Sequence, residues 1–462
     1  MNNKRLSELG QPRDRRPDSS REFLFYKTGP AVRKNKASHS LLRTDSAKSS
    51  EIFSKNLKGQ DFADAMADRL ASSISFAVII IRADTFHAAT WEKEGVAAPE
   101  HAGTLLTDMA GILNLLCKKP YAPGSMWGML DHGIFGCFLP EKDEDFCMKF
   151  TNEIRTRLTT HRNETLTAGV ALFPFLHFSG EQIIENAWKS LDHAAFACPD
   201  STVLFDTASL NIRADRLYEE GDIPGAIDEL ETAIRLDSSN TSIYNNIGVC
   251  HGIMGGFEKA LGEFEKAVLL NPREMACLYN TGLVYLLMGK QEKALEYFHR
   301  AERIGEDVFE LVFQMGRLYL NMEKPETGKK FLEKATKLRP DSGQAFRCLG
   351  ECYAALDMTK AAIRAYHRAI RQNPYDAASL SAIGYLFDLQ GENPEIPLLF
   401  CQYSVGISPD CGLYRYRLGR LYLRQDRPGD ALKEFVRATE LGYDATDLIR
   451  EIQQRRPVEQ VL

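Results

Sequence analysis

Apolar and small residues in the C-terminal half of the chain recur with a fixed period. Gly248, Gly282, Gly316, Gly350 and Gly384 follow one another at intervals of 34 residues. An alanine or glycine stands twelve positions after each of the first four, which lets two antiparallel helices pack closely. Self-similarity at this period is typical of stacked helical hairpins, so the pattern predicts an all-α solenoid from residue 207 onwards.

The N-terminal half has a different pattern, in which short apolar runs alternate with helical periodicity. The run SFAVIIIR at Ser75–Arg82 predicts a buried strand, and Asp131-His132-Gly133 between two apolar runs predicts a hairpin. The order β-α-β-β-α-β-α-β follows, and with it an α+β sheet that has helices packed on it. The predicted elements are 75–82, 100–117, 127–130, 135–139, 142–159, 165–173, 180–197 and 202–205.

The periodic half resembles the tetratricopeptide repeat, in which aromatic side chains fill the space between paired helices and prolines separate the units. The resemblance predicts seven units over residues 207–445, followed by a capping helix and tail over 446–462. Pro397 falls in the second helix of the sixth unit. A proline inside a helix removes a hydrogen bond and clashes with the preceding turn, so we expect a bent or shortened helix there.

Residues 53–206 resemble the GGDEF domain of diguanylate cyclases, over the hairpin and three further segments. The hairpin tip Asp131-His132-Gly133-Ile134-Phe135 lies where that family keeps its signature loop. The other matching segments are Arg82–Phe86, Thr167–Ala171, and Ala187–Leu191 with Ala194. Carboxylates of the family hold the metal that neutralises the triphosphate. The first of them aligns with Arg82, and two acidic signature positions align with Gly133 and Ile134. The resemblance therefore implies a degenerate, catalytically inactive domain without metal or cofactor.

Composition and charge narrow the function classes further. The chain has 462 residues and a net charge of −6, but its first 50 residues hold twelve Lys or Arg against five Asp or Glu. This basic segment predicts a disordered tail over 1–52. The ten cysteines are scattered without a metal-type pair, and no apolar run is long enough to cross a membrane. We expect a cytoplasmic, non-enzymatic chain with no membrane span and no nucleic-acid surface.

The repeat resemblance also implies a binding surface, because the first helices of such units line a concave groove. The groove positions are polar, aromatic and Arg-bearing, so a peptide or protein partner with an acidic group is the expected ligand. The alternative is that these positions form an ordinary solvated surface. The predicted peptide-binding residues are Asn245, Tyr279, Phe313, Arg317, Arg347, Tyr385, Tyr416 and Arg420.

Three functions are compatible with these patterns. The leading interpretation is a scaffold or adaptor for protein–protein interaction in signalling, with the cyclase-like domain as a docking or sensing module. The first alternative is a non-catalytic nucleotide-binding receptor in cyclic-dinucleotide signalling. The second, an active diguanylate cyclase, is disfavoured because its metal ligands are missing. The sequence identifies neither the partner nor the pathway.

Overall fold

The computed structural model describes residues 73–84, 99–118, 122–131, 133–162, 164–305, 307–391 and 395–455, with the single positions 23, 62, 65, 66, 68, 69 and 393. Apart from position 23, the predicted tail over 1–52 lies outside the described residues. Packing divides the chain into two compact units. The first unit ends at Asn271 and the second begins at Pro272.

A five-stranded mixed sheet occupies the N-terminal part of the first unit. Its strands are β1 (Phe76–Ala83), β2 (Met126–Asp131), β3 (Ile134–Pro140), β4 (Leu166–Phe173) and β5 (Thr202–Leu204), connected by α1 (Pro99–Cys117), α2 (Glu144–Arg162) and α3 (Gly180–Ala197). The strand order is β2-β3-β1-β4-β5, with β1 antiparallel to β3 and β4, and β4 parallel to β5. The predicted small sheet with helices packed on it is confirmed.

Helical pairs make up the rest of the described chain, and within each pair the even-numbered helix comes first. The first unit holds α4 (Thr207–Glu220), α5 (Ile223–Leu236), α6 (Thr241–Ile253) and α7 (Phe257–Leu270). The second unit holds α8 (Met275–Leu287), α9 (Gln291–Glu302), α10 (Phe309–Asn321), α11 (Pro325–Leu338), α12 (Gly343–Ala355), α13 (Thr359–Gln372), α14 (Ala377–Gln390), α15 (Glu395–Ile407), α16 (Gly412–Arg424), α17 (Pro428–Glu440) and α18 (Thr446–Arg455). The predicted helical solenoid is confirmed.

The central strand β1 supplies both apolar cores of the sheet, because successive side chains of a strand point to opposite faces. Ile79 and Ile81 pack with α1 and α2, whereas Val78 and Ile80 pack with α3. All four side chains are fully buried. The second of these cores continues without a break into α4, α5 and α6, so the sheet and the first helical pair share one apolar cluster within this unit.

The sixth repeat unit departs from expectation at Pro397. The predicted shortening is wrong, because α15 runs over thirteen residues, as many as α16 and α17. Pro397 is the third residue of α15, and the first N–H groups of a helix have no intrahelical acceptor. The proline therefore removes no hydrogen bond of the helix, and its ring is buried.

The C-terminal helix α18 follows the last pair. Its Ile452 is 2% exposed and belongs to the same apolar cluster as Phe435 of α17. Polar residues occupy most of its other positions; that it caps the repeats stays a prediction. Within the described part of the chain, no helix combines the length and apolar character needed to cross a membrane.

Candidate functional site

The first helices of the repeat units carry the predicted peptide-binding residues, and four of these side chains have little surface. Asn245 on α6 and Tyr279 on α8 are fully buried, and Phe313 on α10 and Tyr385 on α14 are each 6% exposed. Tyr279 stacks on Phe298 at a ring distance of 5.7 Å. Asn245 and Tyr279 therefore contribute to packing and present no surface to a ligand, which narrows the predicted set.

The other four predicted residues are partly exposed, but they differ in their surroundings. Arg347 on α12 has a side chain that is 20% exposed and lies 3.4 Å from Asp376 and 3.8 Å from Glu351. Tyr416 on α16 packs against Phe435 and Tyr443. Arg347 is thus held by carboxylates of its own chain, and Tyr416 serves the packing of its own pair.

Two arginines of α16 meet one aromatic ring of α14. The guanidinium carbons of Arg417 and Arg420 lie 4.9 and 5.8 Å from the ring centre of Tyr385. Arg417 is only 3% exposed, and its Nη1 donates a hydrogen bond of 2.9 Å to Ser381 on α14. Arg420 is partly exposed and forms no ion pair with a described residue. The first helices of the second unit therefore present a surface of cationic and aromatic side chains, which we call the floor.

Arg417 is the functional candidate that sequence reasoning missed. It stands at the sixth place of its unit, where earlier units have Asn246, Asn280 and Gln314. Those three side chains are buried, which is typical of packing between units. A charged residue at a buried place in a repeat is the signal that could have found it, since buried charges need compensation.

A carboxyl group on α12, that of Glu351, also belongs to this floor. Burial raises the pKa of Glu351 to about 7, while Arg347 and Arg417 act in the opposite direction and Asp376 adds to the rise. The side chain of Glu351 is 24% exposed. Near neutral pH this carboxyl group therefore exchanges its proton, and the net charge of the floor changes with it.

Tyr366 of α13 lies close to the charged residues of the floor. The side chain is 1% exposed, and its hydroxyl has no hydrogen-bond partner among the described residues. Burial raises the pKa of Tyr366, with Glu351 adding to the rise and Arg417 opposing it. The hydroxyl is therefore an unsatisfied donor that interacts electrostatically with Glu351 and Arg417.

We define the floor cluster as Arg347, Glu351, Tyr366, Asp376, Ser381, Tyr385, Arg417 and Arg420. Guanidinium groups bind carboxylates with directed hydrogen bonds, and an aromatic ring beside them offers apolar contact. A peptide segment with one carboxylate and one apolar side chain matches both features. The cluster contains no nucleophile paired with a base, since its one serine is bonded to Arg417.

The hairpin tip predicted to be a degenerate signature loop has the expected local geometry. Gly133 has a φ of 74°, and its carbonyl accepts a hydrogen bond of 3.3 Å from the N–H of Ala83. Ile134 and Phe135 begin β3, with Phe135 fully buried, and Asp131 ends β2. His132 lies outside the described residues. The tip therefore adjoins the end of β1, which contains Arg82 and is followed by Asp84.

The carboxylate at the end of β1 is occupied by its own chain. Asp84 accepts hydrogen bonds from the hydroxyls of Thr165 and Thr167 at 2.7 and 2.5 Å, and from the N–H of Asp200 at 3.0 Å. Burial lowers the pKa of the neighbouring Arg82, which Asp192 and Asp84 partly offset. Asp84 thus ties β1 to β4 and to the turn before β5, which gives it a structural role.

A serine, a histidine and an aspartate also meet at the start of α4, but not as a catalytic set. Nδ1 of His193 lies 3.1 Å from the Ser209 hydroxyl and 3.4 Å from Asp206. Both partners therefore face the same ring nitrogen, whereas a triad places them at opposite nitrogens. Ser209 is fully buried and bonds to Asp206, the N-terminal cap of α4. The group caps the helix.

Among the described residues, no three side chains of His, Cys, Asp or Glu lie close enough to share a metal ion. Most of the cysteines are buried, and burial raises the pKa of Cys147 and Cys401 to about 12. A thiol with such a pKa is a poor nucleophile at neutral pH. These two residues therefore act as small apolar side chains.

Comparisons with known proteins agree with the helical architecture. Models of the TPR repeat and the tetratricopeptide repeat match residues 214–255, 254–308 and 313–377. The chain therefore contains tetratricopeptide repeats, which generally mediate protein–protein interaction. These matches do not extend to the sheet, so the cyclase-like interpretation of 53–206 stays a prediction. No curated protein matches the chain.

Several solved repeat structures are similar to part of the chain. YrrB, described as a TPR protein with an unusual peptide-binding site, is 23% identical over 40% of this chain and 95% of its own, with a TM-score of 0.37. PilF of Pseudomonas aeruginosa is 15% identical over 48% of this chain and 99% of its own, with a TM-score of 0.42. A MamA fragment from Desulfovibrio magneticus RS-1 is 26% identical over 37% and 96%, with a TM-score of 0.34.

Proposed function

We propose that the chain is a non-enzymatic scaffold or adaptor whose repeats bind a partner protein through a segment with at least one acidic group. The observation that carries this proposal is the convergence of Arg417 and Arg420 on Tyr385. Arg317 on α10 extends the cationic surface, with its guanidinium 5.7 Å from the ring centre of Phe313. The region over 53–206 serves as an inactive cyclase-like docking or sensing module in this proposal.

The partner segment contacts the exposed arginines first. Arg347 and Arg417 are already engaged by Asp376 and Ser381, so they hold the floor in place. The side chains of Arg420 and Arg317 are partly exposed, so a partner can reach them. A carboxylate of the partner would displace water from these two groups at a cost that is lower than for a fully buried pair.

Peptide selection on the full chain, followed by fluorescence anisotropy with a selected peptide, tests the proposal. We expect selected sequences to be enriched in Asp or Glu. The double variant Arg317→Ala/Arg420→Ala should weaken binding by about 1–2 kcal/mol, because partly exposed contacts are screened. Lys433→Ala on α17, a lysine with an 80% exposed side chain, is the matched control and should change nothing. Unchanged affinity in the double variant would refute the proposal.

A further inference from the structure

The second helix α13 differs from other second helices because its charged residues are all basic. Its charged residues are Lys360, Arg364, Arg368 and Arg371, with no acidic residue among them. The second helices α9, α11 and α17 each mix acidic with basic residues. All four cations of α13 are exposed, and none forms an ion pair with a described residue.

A cavity lies beside three of these arginines. It has a volume of about 430 Å³, and Arg364, Arg368 and Arg371 line it together with apolar side chains. Phe346 and Leu349 of α12 contribute apolar surface, and the guanidinium of Arg368 lies 5.8 Å from the Phe346 ring centre. A carboxylate also stands near the cavity, since Glu333 accepts a hydrogen bond from Tyr353 at 2.9 Å. The cavity therefore offers an apolar base under a rim that is mainly cationic, with the Glu333 carboxylate nearby.

The next second helix, α15, continues this surface with apolar side chains. Glu395 is its one charged residue. Ile396, Leu399 and Tyr403 are 44%, 53% and 61% exposed, at the i, i+3 and i+7 spacing of one helix face. Phe400 links the two helices, because its ring lies 6.2 Å from His367 of α13. An apolar row thus runs next to the cationic row.

We propose that α13 and α15 form a second docking surface, which binds an acidic amphipathic helix of a partner protein. Charge complementarity carries this assignment, because four exposed cations that form no ion pair with a described carboxylate favour an acidic flank on the ligand. The exposed row on α15 matches the apolar face of a helix, whose contacts recur at the same spacing. An apolar side chain at the edge of the ligand enters the cavity between α12 and α13.

A bound helix is wide enough to contact both rows. Packed helices lie 8–10 Å apart, and a helix with its side chains is roughly 10–12 Å wide. One bound helix can therefore lie over α13 and α15 together, with its acidic flank above the arginines. This surface uses none of the residues of the floor cluster, so it is independent of the proposed function of the first-helix face.

Fluorescence anisotropy with two synthetic peptides and the full chain tests the inference. The first is an amphipathic helix of about 18 residues with a leucine face and a glutamate flank, and the second has lysine in place of each glutamate. We expect the glutamate peptide to bind at least about tenfold more tightly than the lysine peptide, and added salt to weaken it.

Three variants locate the binding. Arg364→Glu/Arg368→Glu should weaken the glutamate peptide about tenfold or more, and Leu399→Glu should also weaken it because it places a charge in the apolar row. Ala361→Trp fills the cavity without changing any charge and should weaken binding as well. Lys433→Glu on α17 is the matched control and should have no effect. Circular dichroism of each variant verifies that it is folded.

Several results would overturn the inference. Failure of the glutamate peptide to bind would do so, and so would binding that Arg364→Glu/Arg368→Glu leaves unchanged. Loss of binding in Arg317→Ala/Arg420→Ala would assign the peptide to the first-helix face instead. Vesicles of phosphatidylglycerol and phosphatidylcholine provide a further arm: binding of vesicles with no binding of the peptide would identify a membrane surface and reject the protein partner.

Discussion

A close approach of two helices in the second unit gives a stability prediction whose magnitude follows from the structure. α10 and α11 cross at Gly316 and Gly328, so glycine occupies both contact positions. A Cβ at position 316 would lie 2.6 Å from Cγ of Leu332 and 3.2 Å from the carbonyl oxygen of Gly328. The leucine can move only within a buried site, because it is fully buried, and the carbonyl belongs to the facing backbone.

Gly316→Ala therefore combines two opposite effects. Replacing glycine by alanine inside a helix favours folding by roughly 0.5–1 kcal/mol. Extra volume in a packed contact costs about 1–3 kcal/mol. Gly406→Ala is the matched control, since Gly406 lies in α15 and a Cβ there would meet nothing within 4 Å. The comparison shows whether the steric cost of about 1–3 kcal/mol outweighs the gain in helix propensity.

Urea denaturation of the full chain, followed by circular dichroism, measures both variants under the same conditions. We expect Gly406→Ala to shift the helical transition to higher urea and Gly316→Ala to shift it to lower urea. Gly316→Leu should lower it further, because the larger side chain meets the same backbone. The reasoning would be refuted if Gly316→Ala stabilised the protein as much as Gly406→Ala does.

Three other results are expected. Glu351 has a pKa of about 7 in the folded state and 4.5 in the unfolded state, so the unfolded state releases its proton first as pH rises. The free energy of unfolding should therefore fall by up to about 3 kcal/mol between pH 4.5 and pH 7. Denaturation of Glu351→Gln at several pH values should show no such fall. Tyr366→Phe should leave stability unchanged or raise it by about 1 kcal/mol, because it removes an unsatisfied buried hydroxyl, and a clear loss in the same assay would contradict this. Purified protein with GTP and magnesium or manganese should form no cyclic di-GMP by chromatography, since Arg82 replaces a metal ligand; product that depends on Asp84 would reject the inactive-domain interpretation.

The repeat half was predictable from sequence because its signals are periodic. The 34-residue interval between glycines fixed where helices would cross, and Gly248 and Gly282 indeed lie where a Cβ would strike Phe264 and Phe298. Pro397 misled the prediction because the effect of proline depends on its distance from the helix start. That distance depends on where α15 begins, which periodicity alone gives only approximately.

The site was less predictable than the fold. Spacing placed residues on the first helices, but it could not show that Asn245 and Tyr279 are buried or that Arg347 is paired with Asp376. Those facts depend on contacts between helices that are distant in sequence, such as Arg417 with Ser381 across 36 positions. A repeat pattern describes one unit at a time, so interactions that join units lie beyond it.

Site-specific photo-crosslinking in the native cell tests the central claim most directly. A benzoylphenylalanine at position 344 replaces Gln344, an exposed residue of α12 three positions before Arg347, and a second at position 436 replaces Val436, which is 40% exposed on α17. The account predicts a partner protein crosslinked from position 344 and not from 436, and lost when Arg317→Ala/Arg420→Ala is combined with the probe. A partner crosslinked from 344 with equal yield in the arginine variant, or no crosslink from 344 at all, would contradict it.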